Sequence, residues 1–182
     1  MTKSKQIHKI TIIAMLTAIS AVLITLIHFP LFPSAAFLEY DPADVAILMG
    51  AFACGPVPGV IITVLASFIQ AFFLGGNGVY GFLMHTISSS VLAITAGTIY
   101  HFRRTRSGAL LGLIAGTVMM GLVMVIANHF ITPAFMGAPV EVVDSMLLPV
   151  ILPFNLLKAG INSLIAFFIY KPLSPLLHKG LR

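Results

Sequence analysis

The sequence predicts an all-α membrane protein, with six transmembrane helices in one bundle and both termini in the cytoplasm. Hydrophobic residues make up 59% of the 182-residue chain and charged residues only 8%, whereas a soluble domain carries roughly 25% charged residues. The few charges are grouped, and the uncharged runs between the groups are long enough for helices that cross a bilayer. No repeat or linker divides residues 1–182, so we expect a single domain.

The grouping of the charges predicts the topology. Apart from Lys158, the basic residues fall in three groups, and positive residues collect in short cytoplasmic loops. The acidic residues form two other groups, which alternation places outside, so no buried carboxylate is expected for a proton relay. The basic groups are Lys3/Lys5/Lys9, Arg103/Arg104/Arg106 and Lys171/Lys179/Arg182, and the acidic groups are Glu39/Asp41/Asp44 and Glu141/Asp144.

The uncharged runs give the number of helices, because each crossing needs about 20 residues. Three of the runs are long enough for one crossing each. The run from Asp44 to Arg103 must cross an odd number of times, and a single crossing would leave more than half of it in lipid. Three crossings are therefore expected there. The six expected helices are residues 10–32, 42–54, 57–74, 81–101, 108–131 and 149–170.

The second expected helix is short for a span, which is tolerable if its end opens onto a cavity or is covered by protein. Asp41 is its expected N-cap and Pro42 its first residue. The turns "CGPVPG" and "LGGNGVYG" separate it and the next helix from their neighbours, and Asn77 is expected to be a turn residue.

The first helix has an alternative interpretation as a cleaved signal peptide, with small residues at 34–36 as the cleavage site. Its apolar stretch is longer than the usual 7–15 residues of such a signal. Cleavage would also leave the number of crossings inconsistent with the charge pattern. We therefore treat it as a helix of the mature protein.

Polar residues within the apolar runs are costly and often functional. In "ILPFNLLKAGINS", Asn155, Lys158 and Asn162 lie three and four residues apart, on one helix face. Lys158 is too far from either helix end to reach water easily. Its ammonium is held either by backbone carbonyls or a neighbouring subunit, or by a polar ligand in a substrate pocket.

Several further residues within the apolar runs are candidates for a functional role. Asn128 offers an amide at a comparable depth, suited to a heterocycle edge or to an interhelical hydrogen bond. His85 and Gln70 are more simply explained as packed structural residues. Ala14 and Ala18, four residues apart, form a small face that another helix could approach closely, inside the bundle or in a partner.

Several function classes are excluded by missing motifs. The sequence has no phosphate-binding loop of the GxxxxGK[ST] type, no HExxH and no GxSxG. The single cysteine, Cys54, permits no internal disulfide, and no Cys/His spacing indicates a metal site. We expect no enzymatic activity, no cofactor and no nucleic-acid partner, since the basic residues follow topology rather than a continuous phosphate-binding face.

Three stretches resemble the riboflavin-specific substrate-binding (S) component of energy-coupling factor vitamin transporters. They are "FPLFPSAAFLEYDPADVAILMGAFACGPVPGV", "GGNGVYGFLMH" and "LPFNLLKAGIN". The resemblance implies a bacterial plasma-membrane protein that binds riboflavin from outside. It also implies assembly with a transmembrane T component and two cytoplasmic ATPases, which would supply the missing phosphate loop.

The resemblance also implies roles for individual residues. Asn128, Asn155 and Lys158 would hold the polar edge of the flavin ring, and the loop Glu39, Tyr40 and Asp41 would meet the ribityl chain. Ala14 and Ala18 would contact the T component. These roles follow from the resemblance to the family and not from residue spacing alone.

One departure from the family pattern leaves the ligand open. Many relatives carry Gly-Glu-x-x-Asn where this sequence has Gly81-Phe82-Leu83-Met84-His85. Flavin mononucleotide or another vitamin is therefore an alternative ligand. A stand-alone membrane scaffold or enzyme is the alternative from a different class.

Overall fold

The computed structural model describes residues 3–178, and nearly all of them are helical. Two-residue strands β1 (Phe29–Pro30) and β2 (Glu39–Tyr40) pair antiparallel around a 3-10 turn at Pro33–Ala35. The predicted basic residues Lys179 and Arg182 lie outside the described residues. The helices are α1 (Lys3–Leu26), α2 (Ala43–Cys54), α3 (Pro56–Phe73), α4 (Gly78–Phe102), α5 (Arg106–Met136), α6 (Val140–Met146) and α7 (Leu152–His178).

The predicted fold class is confirmed. A π-helical segment, Leu147–Ile151, joins α6 to α7, so that these elements form one rod and the described residues contain six helical rods. Five of the rods are long and apolar enough to cross a membrane, and α2 is the short sixth. Which side of the membrane holds the termini stays a prediction.

The first helix lies closer to the N-terminus than expected, at Lys3–Leu26 instead of 10–32. The basic N-terminal residues extend the helix because they are solvated at its end. Beyond Leu26 the chain reaches Pro30, which enters β1, and then Pro33 at the 3-10 turn. Proline lacks the amide hydrogen of the helical ladder and disfavours helix in the residue before it, so the helix ends earlier.

The short helix α2 lies in the centre of the bundle, and its residues from Ala43 to Phe52 are all buried. At 12 residues it is about 18 Å long, too short for a bilayer, and the surrounding helices cover it as expected. Pro42 rather than Asp41 is its N-cap residue, one position later than predicted. Asp41 still caps the helix, because its Oδ1 accepts a hydrogen bond from Ala43 N at 3.1 Å.

The glycine-rich connection between α3 and α4 is a tight turn, as predicted. Asn77 adopts the left-handed conformation, with φ 62°, and is the N-cap residue of α4. A side chain at Gly81 would collide with the backbone oxygen of Gly76. The turn can therefore fold back against the first turn of α4 only because residue 81 is glycine.

The final rod begins earlier than the predicted 149–170, at Val140, and carries Glu141 and Asp144 on an exposed stretch of α6. Pro149 lies within the π-helical segment and Pro153 just after it. Neither residue can donate a helical hydrogen bond, and Pro149 lies where the helix departs from regular α geometry.

The helices alternate in direction, so the bundle has two distinct ends. We call one the cavity end, where the α1–α2 loop (27–42) and the α3–α4 turn (74–77) lie. We call the other the arginine end, where the α4–α5 turn (103–105) meets the last residues of α2 and the C-terminal half of α7. A cavity at each end is described below.

Candidate ligand-binding site

A cavity opens at the cavity end, between the α1–α2 loop and helices α3, α4, α5 and α7. Five of the six residues predicted to bind a ligand line it. They reach it from three separate parts of the chain: the loop before α2, the C-terminal half of α5 and the N-terminal half of α7. The five are Glu39, Asp41, Asn128, Asn155 and Lys158.

The buried lysine has a carboxylate partner, which the sequence analysis did not anticipate. Lys158 Nζ lies 2.6 Å from Asp41 Oδ2, and both residues are buried, at 6% and 2% exposure. Glu39 O lies farther away, at 3.5 Å. Burial alone would raise the pKa of the Asp41 carboxyl, but the Lys158 ammonium outweighs that effect and holds this pKa below its usual value.

The expectation that all five carboxylates lie on the water-facing side is wrong for Asp41 and Asp44. Asp44 has 0% exposure, accepts a hydrogen bond from Ser89 Oγ, and accepts another from Asn162 Nδ2 at 3.0 Å. Asp41 directly precedes α2 and Asp44 lies in its first turn, and this helix lies inside the bundle. The neighbouring Glu39 is exposed, as expected.

Asn162 shares the helix face of Lys158 but serves the protein itself. Its Nδ2 donates to Asp41 O at 2.9 Å as well as to Asp44, and its Oδ1 accepts from Tyr40 Oη at 2.9 Å. Tyr40 is buried and does not line the cavity. Tyr40 and Asn162 thus fix the α2 start against α7, behind the ion pair.

The two other buried amides face the cavity and keep hydrogen-bonding capacity. Asn155 Nδ2 donates to Ile151 O at 2.8 Å, which leaves its second N–H and its Oδ1. Asn128 Nδ2 donates to Met124 O at 2.7 Å, and its Oδ1 accepts from Thr132 Oγ1 at 2.7 Å. One N–H of Asn128 remains. These helix-internal bonds also fix the orientation of both amides.

His85 lines the cavity, which differs from the expectation of a packed structural histidine. Its Nδ1 is hydrogen-bonded to Ser67 Oγ at 2.7 Å. Its Nε2 is buried without a hydrogen-bond partner among the described residues, and it lies 4.0 Å from Asp41 Oδ1, too far for a hydrogen bond. Gln70 also lines the cavity, and its Oε1 likewise has no partner within residues 3–178.

Aromatic side chains form the wall nearest the loop. Phe37 and Phe135 have ring centroids 6.2 Å apart, and Tyr80 lies 5.8 Å from Phe135. All three line the cavity, together with Phe154 from α7. The cavity therefore combines ring surfaces with convergent amide, ammonium and imidazole groups, which is the usual construction of a site for a polar heterocycle.

The alanine pair of α1 lies away from this site. Ala14 and Ala18 are exposed on the outer face of the helix. The buried residues of α1 instead include Ile12, Leu16 and Ser20. Of the two explanations for the small face, internal packing is therefore wrong, because the face points away from the bundle.

Comparison with known proteins agrees with this architecture. The family model described as "ECF transporter, substrate-specific component" matches residues 8–170. The chain is 30% identical to the riboflavin transporter RibU of Staphylococcus aureus, over 96% of this chain and 95% of the relative. It is 25% identical to the riboflavin transporter FmnP of Bacillus subtilis, over 93% and 94%.

A solved structure is also similar. It is described as the S component of a bacterial ECF transporter, and it matches with a TM-score of 0.83 at 30% identity, over 94% of this chain and 98% of the other. The family match spans most of the chain, and the helices account for a multi-pass cell-membrane protein. The chain therefore belongs to the ECF transporter substrate-specific component family, and it is a transporter component rather than an enzyme.

Proposed function

We propose that this protein binds riboflavin in the cavity and is the substrate-binding component of a riboflavin importer. The observation that carries the proposal is the convergence of Asn128, Asn155 and Lys158 on one cavity that aromatic rings also line. The relatives named above supply the second support, because both are riboflavin transporters by name.

The chemistry of the flavin ring suits these three residues. Its polar edge alternates N–H and C=O groups, and an amide can both donate and accept. Asn155 offers an N–H and Oδ1, Asn128 offers an N–H, and Lys158 keeps one ammonium hydrogen beyond those directed to Asp41 and Glu39. A ring buried against these groups exchanges its hydrogen bonds with water for hydrogen bonds with protein, which avoids the cost of unsatisfied polar groups.

The ribityl chain would lie toward the mouth of the cavity. Glu39 and Asp41 line the cavity, so we assign their oxygens as acceptors for ribityl hydroxyls, with Asp41 remaining paired to Lys158. Tyr40 supports the site from behind through Asn162. We therefore assign Tyr40 a positioning role instead of a direct contact.

Riboflavin binding requires the cavity to widen. Its volume is about 120 Å³, whereas sites that enclose a drug-sized ligand measure roughly 300–1,000 Å³. The α1–α2 loop is the wall with the least regular structure, held by one pair of two-residue strands. We assign the widening to this loop.

A binding titration tests the proposed ligand. Riboflavin fluorescence should be quenched on addition of the purified protein, and protein purified from cells should show flavin absorbance bands. Asn155→Leu should weaken binding by about 1–3 kcal/mol because it leaves flavin groups unpaired. Gln6→Leu, at an exposed amide on α1, is the matched control and should bind as the wild type does.

Competition distinguishes riboflavin from the alternative ligands. Thiamin, biotin and folate should not displace riboflavin, and flavin mononucleotide should displace it weakly. For the anions among these competitors, biotin, folate and flavin mononucleotide, the reason is that the only cation lining the cavity among the described residues, Lys158, is already paired with a carboxylate. Stronger binding of flavin mononucleotide than of riboflavin would reject the assignment.

The proposed partners are a transmembrane T component and two cytoplasmic ATPases. The chain has no phosphate loop of its own, and Ala14 and Ala18 present a small exposed face on α1 that permits close helix approach. A14L/A18L should abolish co-purification of the partners and leave riboflavin affinity unchanged. Ala134→Leu, at an exposed alanine on α5, should leave both properties unchanged.

A further inference from the structure

A second cavity lies at the arginine end and has a different character. Its volume is about 430 Å³, and its lining includes Arg104, Arg106 and Lys171 together with several aromatic side chains. Arg104 and Arg106 come from the start of α5 and the turn before it, and Lys171 comes from α7. All three cations are exposed, so their charged groups lie where the helices reach the membrane surface.

The cations of this cavity lack an acidic partner in the part of the chain that the structure describes. Within residues 3–178 none of the three has a carboxylate within ion-pair distance. The carboxylates of Glu39, Asp41, Asp44, Glu141 and Asp144 all belong to elements of the cavity end. The positive charge at this cavity is therefore uncompensated by any acidic side chain.

Helix α5, which begins at this cavity, adds to the excess of positive charge. A helix N-terminus carries positive partial charge and normally attracts acidic residues. The first turn of α5 contains none, and instead begins with Arg106. Thr105 caps one amide, since its Oγ1 accepts from Gly108 N at 3.0 Å. The cavity thus combines the positive end of α5 with three side-chain cations, an arrangement that an external anion would stabilise.

The inner wall of the same cavity is aromatic and apolar. Phe52, Tyr100 and Tyr170 contact one another, with ring centroids 4.6 to 5.5 Å apart. Phe167 and Phe168 complete the wall on α7. Tyrosine rings are typical of the depth at which lipid headgroups meet acyl chains, and the phenylalanine rings add apolar surface beside them. The cavity is therefore suited to a molecule with an anionic group joined to an apolar chain.

We propose that the cavity at the arginine end binds an anionic membrane phospholipid, with its phosphate group held by Arg104, Arg106 and Lys171. Basic pockets between transmembrane helices are suited to such headgroups. A fork of guanidinium donors matches phosphate oxygens, and the aromatic wall accommodates the first part of an acyl chain. This site is independent of the ligand in the cavity at the other end.

Native mass spectrometry of the full chain in neutral detergent tests the proposal. Phosphatidylglycerol, a net anion, is titrated against phosphatidylcholine, which has the same phosphodiester but no net charge. One phosphatidylglycerol should remain bound in preference to phosphatidylcholine. R104Q/R106Q/K171Q should weaken phosphatidylglycerol binding on the order of 100-fold, because each of the three surface cations contributes about fivefold to the attraction for anionic lipid.

The matched control is K3Q/K5Q/K9Q, which removes the same charge from the first turns of α1, outside the cavity lining. It should keep the preference for phosphatidylglycerol. An equal loss in both triple variants would show general attraction to anionic lipid and would overturn the site. Wild-type protein that binds both lipids equally would overturn it as well.

Further measurements separate the remaining outcomes. Inorganic phosphate in excess should not displace the lipid; displacement would show a site for free phosphate and reject the lipid. Retained lipid binding in R104Q/R106Q/K171Q together with lost co-purification of partner subunits would show a protein contact and reject the proposal. Riboflavin affinity reports whether the triple variant is folded. If it is not, Arg104→Gln alone should still weaken phosphatidylglycerol binding about fivefold.

Discussion

The two ends of the bundle differ in how their positive charges are compensated. At the cavity end, the ammonium of Lys158 is buried and lies 2.6 Å from the Asp41 carboxylate. At the arginine end, Arg104, Arg106 and Lys171 are exposed around a cavity without an acidic partner among the described residues. A buried charge needs an internal partner because desolvation is costly, whereas a charge at the membrane surface can be satisfied from outside.

This difference shows what each end can recognise. At the cavity end the ion pair cancels the charge, so hydrogen-bond geometry decides which ligand binds, and a neutral, multiply hydrogen-bonding molecule is favoured. At the arginine end the charge itself remains available, so anions are favoured. Removal of the paired charge should therefore have the largest effect at the cavity end, loss of an uncharged contact beside it a smaller one, and protonation of the pair the smallest.

The largest effect is expected from Lys158→Met, which keeps the aliphatic part of the side chain and removes the ammonium. Asp41 would then be a buried carboxylate without a cation beside it, which should cost about 3–5 kcal/mol of stability. Riboflavin binding should weaken by about 1.5–3 kcal/mol through loss of a charged donor. Thermal unfolding and fluorescence quenching measure the two effects.

The double variant D41N/K158M distinguishes stability from binding. With both charges removed, most of the lost stability should return, while riboflavin affinity should stay low. Lys9→Met, at the arginine end, should change neither quantity. If Lys158→Met kept wild-type riboflavin affinity, Lys158 would not be a ligand-binding residue.

An intermediate effect is expected from His85→Gln. His85 Nε2 lies in the cavity wall without a partner among the described residues, so it is available to a ribityl hydroxyl. Loss of one such hydrogen bond should weaken riboflavin binding about 2- to 10-fold, equivalent to 0.5–1.5 kcal/mol. The binding titration is the measurement.

His129→Gln is the matched control for this variant. His129 does not line the cavity, and its Nδ1 is paired with Asp144 Oδ1 at 2.6 Å on a partly exposed surface. Its substitution should leave riboflavin affinity unchanged. Equal effects of the two glutamine variants would argue against a ligand contact by His85.

The smallest effect is expected from pH. Folding lowers the pKa of Asp41, so the ion pair contributes fully above the ordinary aspartate pKa of about 3.9 and loses its contribution as the pH falls through the lower value of the folded protein. The difference in unfolding midpoint between wild type and Asp41→Asn should stay constant from about pH 7 to pH 4 and shrink below that.

The helices could be predicted from the sequence because lipid imposes strong and simple requirements. A crossing needs a minimum length of apolar chain, and the charges mark where the crossings end. Even the unusual α2 was predictable, at 42–54 against the observed Ala43–Cys54, because a glycine-proline turn follows it. The start of α1 was not, since solvated lysines can extend a helix beyond its apolar part.

The candidate site was predictable in its residue types but not in its pairing. Lys158, Asn155 and Asn128 are conspicuous because each is polar within an apolar run. Asp41 was assigned to a water-facing loop, because charge alternation carries no information about which residues meet across the bundle. Its partner is 117 positions away in the sequence, and the one available signal was that an isolated buried lysine requires a counter-ion.

His85 was harder to assign, because a histidine within a helix is more often structural than functional. The position follows Gly81 by one helical turn, beside the glycine-rich connection that forms part of the cavity wall. Its distance from the ligand pocket depends on how α3 and α4 pack. That packing is set by side-chain shape and cannot be read from hydrophobic periodicity.

The central position of α2 has a consequence for the order of biosynthesis. The chain that enters this helix is synthesised early and carries Asp41, yet the ammonium that compensates this carboxylate, on Lys158, emerges from the ribosome only with the last helix. We expect α2 to wait at the translocon or the membrane surface until α7 arrives. Chains that stop before residue 140 should therefore be cleaved rapidly by membrane proteases, and stable accumulation of such a fragment would contradict this order of assembly.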